Sequence, residues 1–292
     1  MRFNYAESLT DPAYYVPLAR AAEESGYDGF IVPDSIAYPA ESDTKYPFNP
    51  DGSREFLEDK PFLDPFSMIT ALGAVTERLR FVTFVVKLPI RHPVLVAKQA
   101  ATVAVMTGNR FGFGVGTSPW PEDYELVDVP WRNRGKRMDE CIRIIRGLTA
   151  GDWFEHHGEV FEVPRIKMTP APDKPIPILI GGHGEPALKR AAQTGDGWMH
   201  GGGDPEDLPQ LLGRLDELRA EAGRAKESFE IHVISLEAYT VDGLMRLEDL
   251  GITDVMIGFR WPYEVGPDTQ PLGEKLDHLK RYADSVIDRF RS

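Results

Sequence analysis

Ile176-Pro177-Ile178-Leu179-Ile180-Gly181-Gly182-His183-Gly184-Glu185-Pro186-Ala187 carries a short apolar run into a glycine turn and then into a helix start. A continuous apolar run of this length predicts a strand covered on both faces, because a half-solvated strand would alternate polar and apolar positions. Pro186 suits the first helical turn, where a backbone N–H is not needed. Successive N–H groups at such a junction, aided by the helix dipole, can cradle a phosphate, and glycine lets a ligand approach the backbone closely. The residues alone leave an ordinary glycine turn equally open.

The same strand-to-helix unit recurs along the chain. Strands are predicted at Arg2 to Ala6, Gly29 to Pro33, Arg80 to Lys87, Arg110 to Gly116, Ile176 to Ile180, Gly197 to His200, Phe229 to Ala238 and Asp254 to Phe259. Helical spacing occupies Pro12 to Ser25, Asp64 to Thr76, Pro93 to Met106, Asn133 to Ala150, Glu185 to Gln193, Glu206 to Glu221, Gly243 to Leu250 and Leu272 to Arg289. With no Ser- or Gly-rich linker to divide it, this alternation predicts an α/β fold, a single (β/α)8 TIM barrel over residues 1–292. A doubly wound open sheet is the alternative. Two stretches exceed an ordinary connection: Ser35 to Leu63, after strand two, and Gly151 to Lys174, before strand five. In a barrel the first would lie over the catalytic face, whereas the second would decorate the outside or bridge back over the rim.

Composition narrows the function classes. A formal net charge of −13 gives no electrostatic footprint for DNA or RNA. The lone Cys141 excludes an intrachain disulfide and a cysteine-based zinc cluster. No window approaches the ~18 apolar residues of a membrane span, and Met1 to Tyr5 lacks the apolar core of a signal peptide, so a cytoplasmic protein without membrane contact is expected. His156-His157, His183, His200 and His232 do not fall at a metal-binding spacing, and no metal is expected. Gly-x-Ser-x-Gly, the mark of a nucleophile-elbow hydrolase, is absent.

Gly112, Gly114 and Gly116 alternate along strand four, which suits a flat ring laid against the barrel wall or, equally, a packing need. Arg132, Arg134, Lys136 and Arg137 crowd a helix start, where the dipole disfavours cations. A nearby anion would explain them, and a solvated face would not require one.

Several blocks taken together resemble the luciferase-like monooxygenase superfamily: Glu77-Arg78-Leu79-Arg80, Pro89-Ile90-Arg91-His92-Pro93, Asn109 to Gly116, Arg134 to Glu140, and Ile180-Gly181-Gly182-His183 with Gly195-Asp196-Gly197-Trp198. The layout is nearest to the coenzyme F420-dependent oxidoreductase branch of actinobacterial type. The resemblance implies a barrel, commonly a homodimer, holding the deazaflavin F420, or alternatively FMN, at the C-terminal ends of the strands. Gly181, Gly182, His183 and Gly184 match the family's phosphate loop. Gly116, Thr117 and Ser118 match the strand-four end beside the ring, and Val85 with Val86 falls near a bulge that is often a non-prolyl cis peptide. Asp34 and Arg134 complete the implied cofactor-binding set.

The chain departs from related sugar-phosphate dehydrogenases at two places. Asp34-Ser35 stands where they carry Asp-His, and Ser118-Pro119-Trp120 follows Gly116-Thr117 where they carry a Glu. Both departures argue against glucose 6-phosphate as substrate. The function expected is F420-dependent hydride transfer to or from a small organic molecule held between the ring and the Ser35 to Leu63 loop. An FMN monooxygenase and a noncatalytic cofactor-binding barrel are the alternatives. His200, Glu237 and Ser35, at predicted strand ends, are the candidate catalytic residues.

Overall fold

Short apolar strands buried on both faces pair in parallel only if helices return the chain, and each predicted unit does so. The computed structural model describes residues 1–7, 9–49, 51–261 and 263–292. Its barrel strands are β1 Arg2–Tyr5, β2 Gly29–Val32, β3 Arg80–Thr83, β4 Phe111–Gly116, β5 Ile178–Gly181, β6 Gly197–Met199, β7 Glu230–Val233 and β8 Asp254–Ile257. Each pairs in parallel with its sequence neighbour; β1 pairs with β8, and Phe81 and Val82 of β3 pair with Phe111 and Gly112 of β4. The sheet therefore closes into a parallel (β/α)8 barrel, and the open-sheet alternative is set aside.

Strand alternation divides the side chains into two sets. Phe3, Tyr5, Phe30, Phe81, Phe111 and Phe113 point outward into the large core shared with the helices. Inside the barrel, Ile31, Val82, Leu179, Met199 and Met256 form a small apolar layer. Below it, toward the N-terminal ends of the strands, lies a charged floor. Arg80 donates to Glu230 at 2.8 and 3.0 Å, and Arg2 donates to Asp254 at 2.9 and 2.6 Å. His232 Nε2 sits 2.8 Å from Glu230. The ligand atoms of Glu230, His232 and Asp254 fall within 4.8 Å of one another, a spacing that could suit a metal, but the two guanidiniums already occupy the carboxylates.

One of the two readings left open for the strand-four glycines is met at Gly114, and predicted strands three and seven differ in their bounds. A β-carbon on Gly114 would lie 1.9 Å from the Thr83 carbonyl oxygen and 2.6 Å from Met199 Sδ, so that glycine answers a packing need inside the barrel. β3 breaks after Thr83 at a cis Phe84–Val85 peptide, and Val86–Lys87 then pairs separately with β4. Strand seven is shorter than predicted: it stops at Val233, and Ser235 caps a 3-10 turn over Leu236–Tyr239 by accepting from Glu237 N.

The stretch before β5 forms an antiparallel hairpin, Trp153–His157 with Glu162–Lys167. It docks on helix Arg134–Thr149 through Glu140, which accepts from the backbone N–H groups of Glu159 and Phe161 at 2.9 and 3.0 Å and meets His156 Nε2 at 3.1 Å. Burial would raise the Glu140 carboxyl, but the His156 ring and these N–H groups hold it below the usual range. The stretch after β2 has little regular structure beyond the 3-10 turn Glu55–Leu57. It is held over the barrel mouth by aromatic contacts: Tyr46 stacks on Trp120 at 5.7 Å, and Phe56 meets Tyr263 at 5.0 Å.

Candidate functional site

Active sites of this architecture lie at the C-terminal ends of the strands. There the cis Phe84–Val85 peptide is followed by a half-buried Val85 and a fully buried Val86. Val85 reaches the ends of two neighbouring strands: a β-carbon on Gly116 would lie 2.7 Å, and one on Gly181 3.0 Å, from its side chain. Val85, Gly116 and Gly181 therefore make one small-residue wall in the mouth. Val86 belongs to the core between strands and helices, which corrects its expected place in a cofactor site.

Beside this wall the chain turns through Gly182, at φ +124°, and Gly184 caps helix Glu185–Thr194. Among the described residues no acceptor takes the backbone N–H groups of Gly182, His183 or Gly184. Three unsatisfied donors at a helix N-terminus fit the phosphate end of a flavin or deazaflavin, and a β-carbon on Gly182 would come within 3.0 Å of Ala187.

His183 and His200 stack at 4.4 Å between ring centroids and 8° between planes. Gly201 N donates to His183 Nε2 at 3.0 Å, so that nitrogen is bare and the proton sits on Nδ1. Phe48 of the β2 loop packs edge-on against His183 at 5.1 Å. His200 is only 3 % exposed, and its Nε2 has no hydrogen-bond partner among the described residues. Burial, and then the neighbouring His183, pull His200 down to about 4, with the Ile234 backbone acting weakly the other way. Burial also lowers His183. Because the folded value lies below the unfolded one, the unfolded chain binds more protons between about pH 6.5 and 4, and stability falls as pH drops through that window. A proton NMR titration is expected to place the His200 midpoint near 4; a midpoint at or above an ordinary histidine value would overturn the stacked neutral pair.

The other side of the mouth is ionic. Lys87 Nζ meets both carboxylate oxygens of Asp123, at 2.9 and 2.8 Å, and donates to Ser35 Oγ at 3.4 Å. Ser118, at φ +62°, donates to Asp123 and accepts from Trp120 N at 3.0 Å. Thr117 is tied through its carbonyl, which accepts from Tyr124. Asp34 accepts from Lys87 N at 2.9 Å and from Arg91 at 2.8 Å, so it braces the Val86–Lys87 segment that follows β3. A cavity of about 140 Å³ opens between the β2 loop and the ends of β3 and β4, lined by Ser35, Lys87 and Asp123 among others.

Residues 3–261 match the model of the luciferase-like monooxygenase family. The chain belongs to that family. An uncharacterized protein of Mycobacterium tuberculosis is 62% identical over 98% of this chain and 99% of its own length. An F420-dependent glucose-6-phosphate dehydrogenase of Gordonia bronchialis is 26% identical over 97% of this chain and 79% of its own. The fold matches that of a coenzyme F420 dependent tetrahydromethanopterin reductase from Methanopyrus kandleri, with a TM-score of 0.74, 15% identity and 99% of each chain covered. No helix among the described residues is long and apolar enough to cross a membrane.

The family membership and the geometry together sort the residues singled out in the sequence. Val85, Gly116, Gly181, Gly182, His183 and Gly184 gather at the mouth, and Ser35 lines the cavity. Arg134 sits at the start of its helix with its guanidinium 3.7 Å over the Trp131 ring. Glu237 is displaced: it lies on the 3-10 turn beyond β7, its side chain 46 % exposed and paired with Arg246 at 2.9 Å. It is no longer a candidate acid or base, because the strand that would have aimed it inward ends before it. His200 is held too deep beneath His183 to meet a substrate directly. Sequence reasoning missed Lys87 and Asp123, which stand 36 positions apart. A lysine ending strand three was visible, but nothing local named its partner.

Proposed function

We propose that this protein is a deazaflavin F420-dependent oxidoreductase that transfers a hydride to or from a small organic substrate at the C-terminal face of the barrel. The observation that carries the reading is the set of unsatisfied N–H groups at Gly182, His183 and Gly184, next to the wall formed by Val85, Gly116 and Gly181. The F420-dependent relative supports the choice of cofactor. When bound, the deazaflavin supplies a ring carbon that accepts or releases hydride.

The chain's own residues do the rest. The glycine turn binds the phosphate, and Val85 supports the ring face across two glycines that leave it room. Tyr46, Phe48 and Phe56 of the β2 loop exclude water from the mouth. Lys87 Nζ, held by Asp123 and beside Ser35, offers a proton to a substrate oxygen in the cavity.

Titration of the purified protein with F420 and with FMN tests this. F420 is expected to bind with micromolar or lower Kd and FMN about tenfold or more weakly. Tighter FMN binding with oxygen consumption would establish the monooxygenase alternative instead, and tight binding of neither would sink the redox reading. Binding without turnover of any substrate would favour a noncatalytic barrel.

A further inference from the structure

Burying a cation without a counter-ion is costly, and among the described residues three of the six buried lysines and arginines are paired: Lys87 with Asp123, Arg190 with Asp139, and Lys275 with Glu7 and Asp268. Among the described residues Arg219 is the buried cation outside this mouth that lacks a carboxylate, and it instead donates to the carbonyls of Arg224 and Glu227. Arg54 and Lys60 differ. Each is 8 % exposed, each lines the cavity under the β2 loop, and among the described residues neither is in an ion pair. Of its five guanidinium N–H donors, Arg54 uses one group on the Pro39 carbonyl at 3.0 Å, with its plane over Tyr38 at 4.7 Å. Among the described residues Lys60 donates only to the Gly266 carbonyl.

The acids on the same wall do not pair with them, and Lys60 feels Asp268 and Glu264 only from beyond ion-pair distance, against the repulsion of Arg260. Asp123 is committed to Lys87, Glu122 meets Thr44 Oγ1 at 3.4 Å, and Asp59 is exposed. Two desolvated positive charges thus border a cavity of about 140 Å³ in a chain of net charge −13. Tyr38, Trp120, Leu57 and Phe62 supply its apolar remainder.

We infer that this cavity takes a small organic anion, its carboxylate or phosphate-monoester head held by Arg54 and Lys60 and its flat or apolar body packed between Tyr38 and Trp120. The fork of Arg54 suits a planar two-oxygen head, and Lys60 adds a point charge. The inference rests on reading this cavity as the substrate side of the cofactor site, and it assigns that substrate a chemical class. Lys87 lines the same space, so the reacting end of the anion is the end presented to Lys87.

Isothermal calorimetry on the cofactor-free and the F420-loaded protein, with benzoate, phenyl phosphate and neutral benzyl alcohol as probes, tests it. At least one anion is expected to bind about tenfold or more tightly than benzyl alcohol, to weaken with added salt, and to lose about tenfold in affinity in Arg54→Gln and in Lys60→Gln. If Arg54→Gln does not fold, Lys60→Gln carries the test alone, since its one hydrogen bond is to a loop carbonyl. Anions binding no better than benzyl alcohol, or unchanged affinity in the folded variants, overturn the assignment. So does loss of anion binding in Gly182→Asp rather than in Arg54→Gln, which would put the anion in the phosphate cradle. Failure of F420 to bind while benzoate binds through Arg54 would instead remove the cofactor reading and leave the anion site standing.

Discussion

Gly182→Asp is expected to weaken deazaflavin binding by about a thousandfold or more, the larger part of it electrostatic. A carboxylate ~4 Å from a phosphate at an effective dielectric of ~20 costs ~4 kcal/mol. The backbone adds to this, because Gly182 sits at φ +124°, where side chains are rarely tolerated, so a substituted turn relaxes away from the geometry that aims its N–H groups. Gly182→Ala separates the two contributions: it introduces the strain and the contact with Ala187 without the charge, and about a tenfold loss is expected. Fluorescence titration with F420 reads both variants. Wild-type affinity in Gly182→Asp would mean that the phosphate binds elsewhere and would remove the central support of the proposed function.

The second large effect is on stability and belongs to the opposite end of the barrel. Asp254→Ala should lower the unfolding free energy by about 3–5 kcal/mol, the range for breaking a buried ion pair from one side. Asp254 has no exposed surface and accepts from Arg2 at 2.9 and 2.6 Å, from Asn4 at 3.1 Å and from Thr253 at 2.7 Å. Guanidinium-chloride unfolding would show the shift in midpoint, and F420 affinity should stay at the wild-type value because the floor is remote from the mouth. A loss below about 1 kcal/mol would mean that the layer behaves as a solvated surface pair.

The same floor sets an acid dependence. Burial would raise the Glu230 carboxyl, but His232 and Arg80 pull it down to about 2, and Asp254 is lowered in the same sense against its own burial. A depressed folded-state value gives stability that is present above the ordinary carboxylate range near pH 4 and is lost as pH falls toward 2. Asp254→Ala should therefore flatten the acid limb of the stability profile as well as lower its plateau.

Chemistry and architecture occupy opposite ends of the strands, as in other barrels. The barrel was legible because strand and helix formation here follow from runs a few residues long: Ile178-Leu179-Ile180 must be covered on both faces, and Pro93 and Pro186 open helices where a missing N–H costs nothing. The glycine turn from Gly181 to Gly184 was legible for the same reason, since its donors, its torsion angle and its helix lie within a few consecutive residues.

What the tertiary structure decided was every property that depends on distant partners or on a one-residue change of face. Val85 and Val86 are adjacent and alike, yet the strand breaks between Thr83 and Val86, so one lines the mouth and the other, back in register with the sheet, fills the core. Glu237 lost its inward position to Ser235, whose hydroxyl ends the extended run by accepting from its backbone. Asp34 and Arg91, and Lys87 and Asp123, meet across 57 and 36 positions, and Arg54 and Lys60, in no ion pair among the described residues, acquire their meaning only where their loop closes over the cavity that Lys87 and Asp123 also line. Periodicity determines which residues are buried together with the backbone, whereas the charge that each buried group meets is set by the packing of loops, for which the sequence carries no local signal.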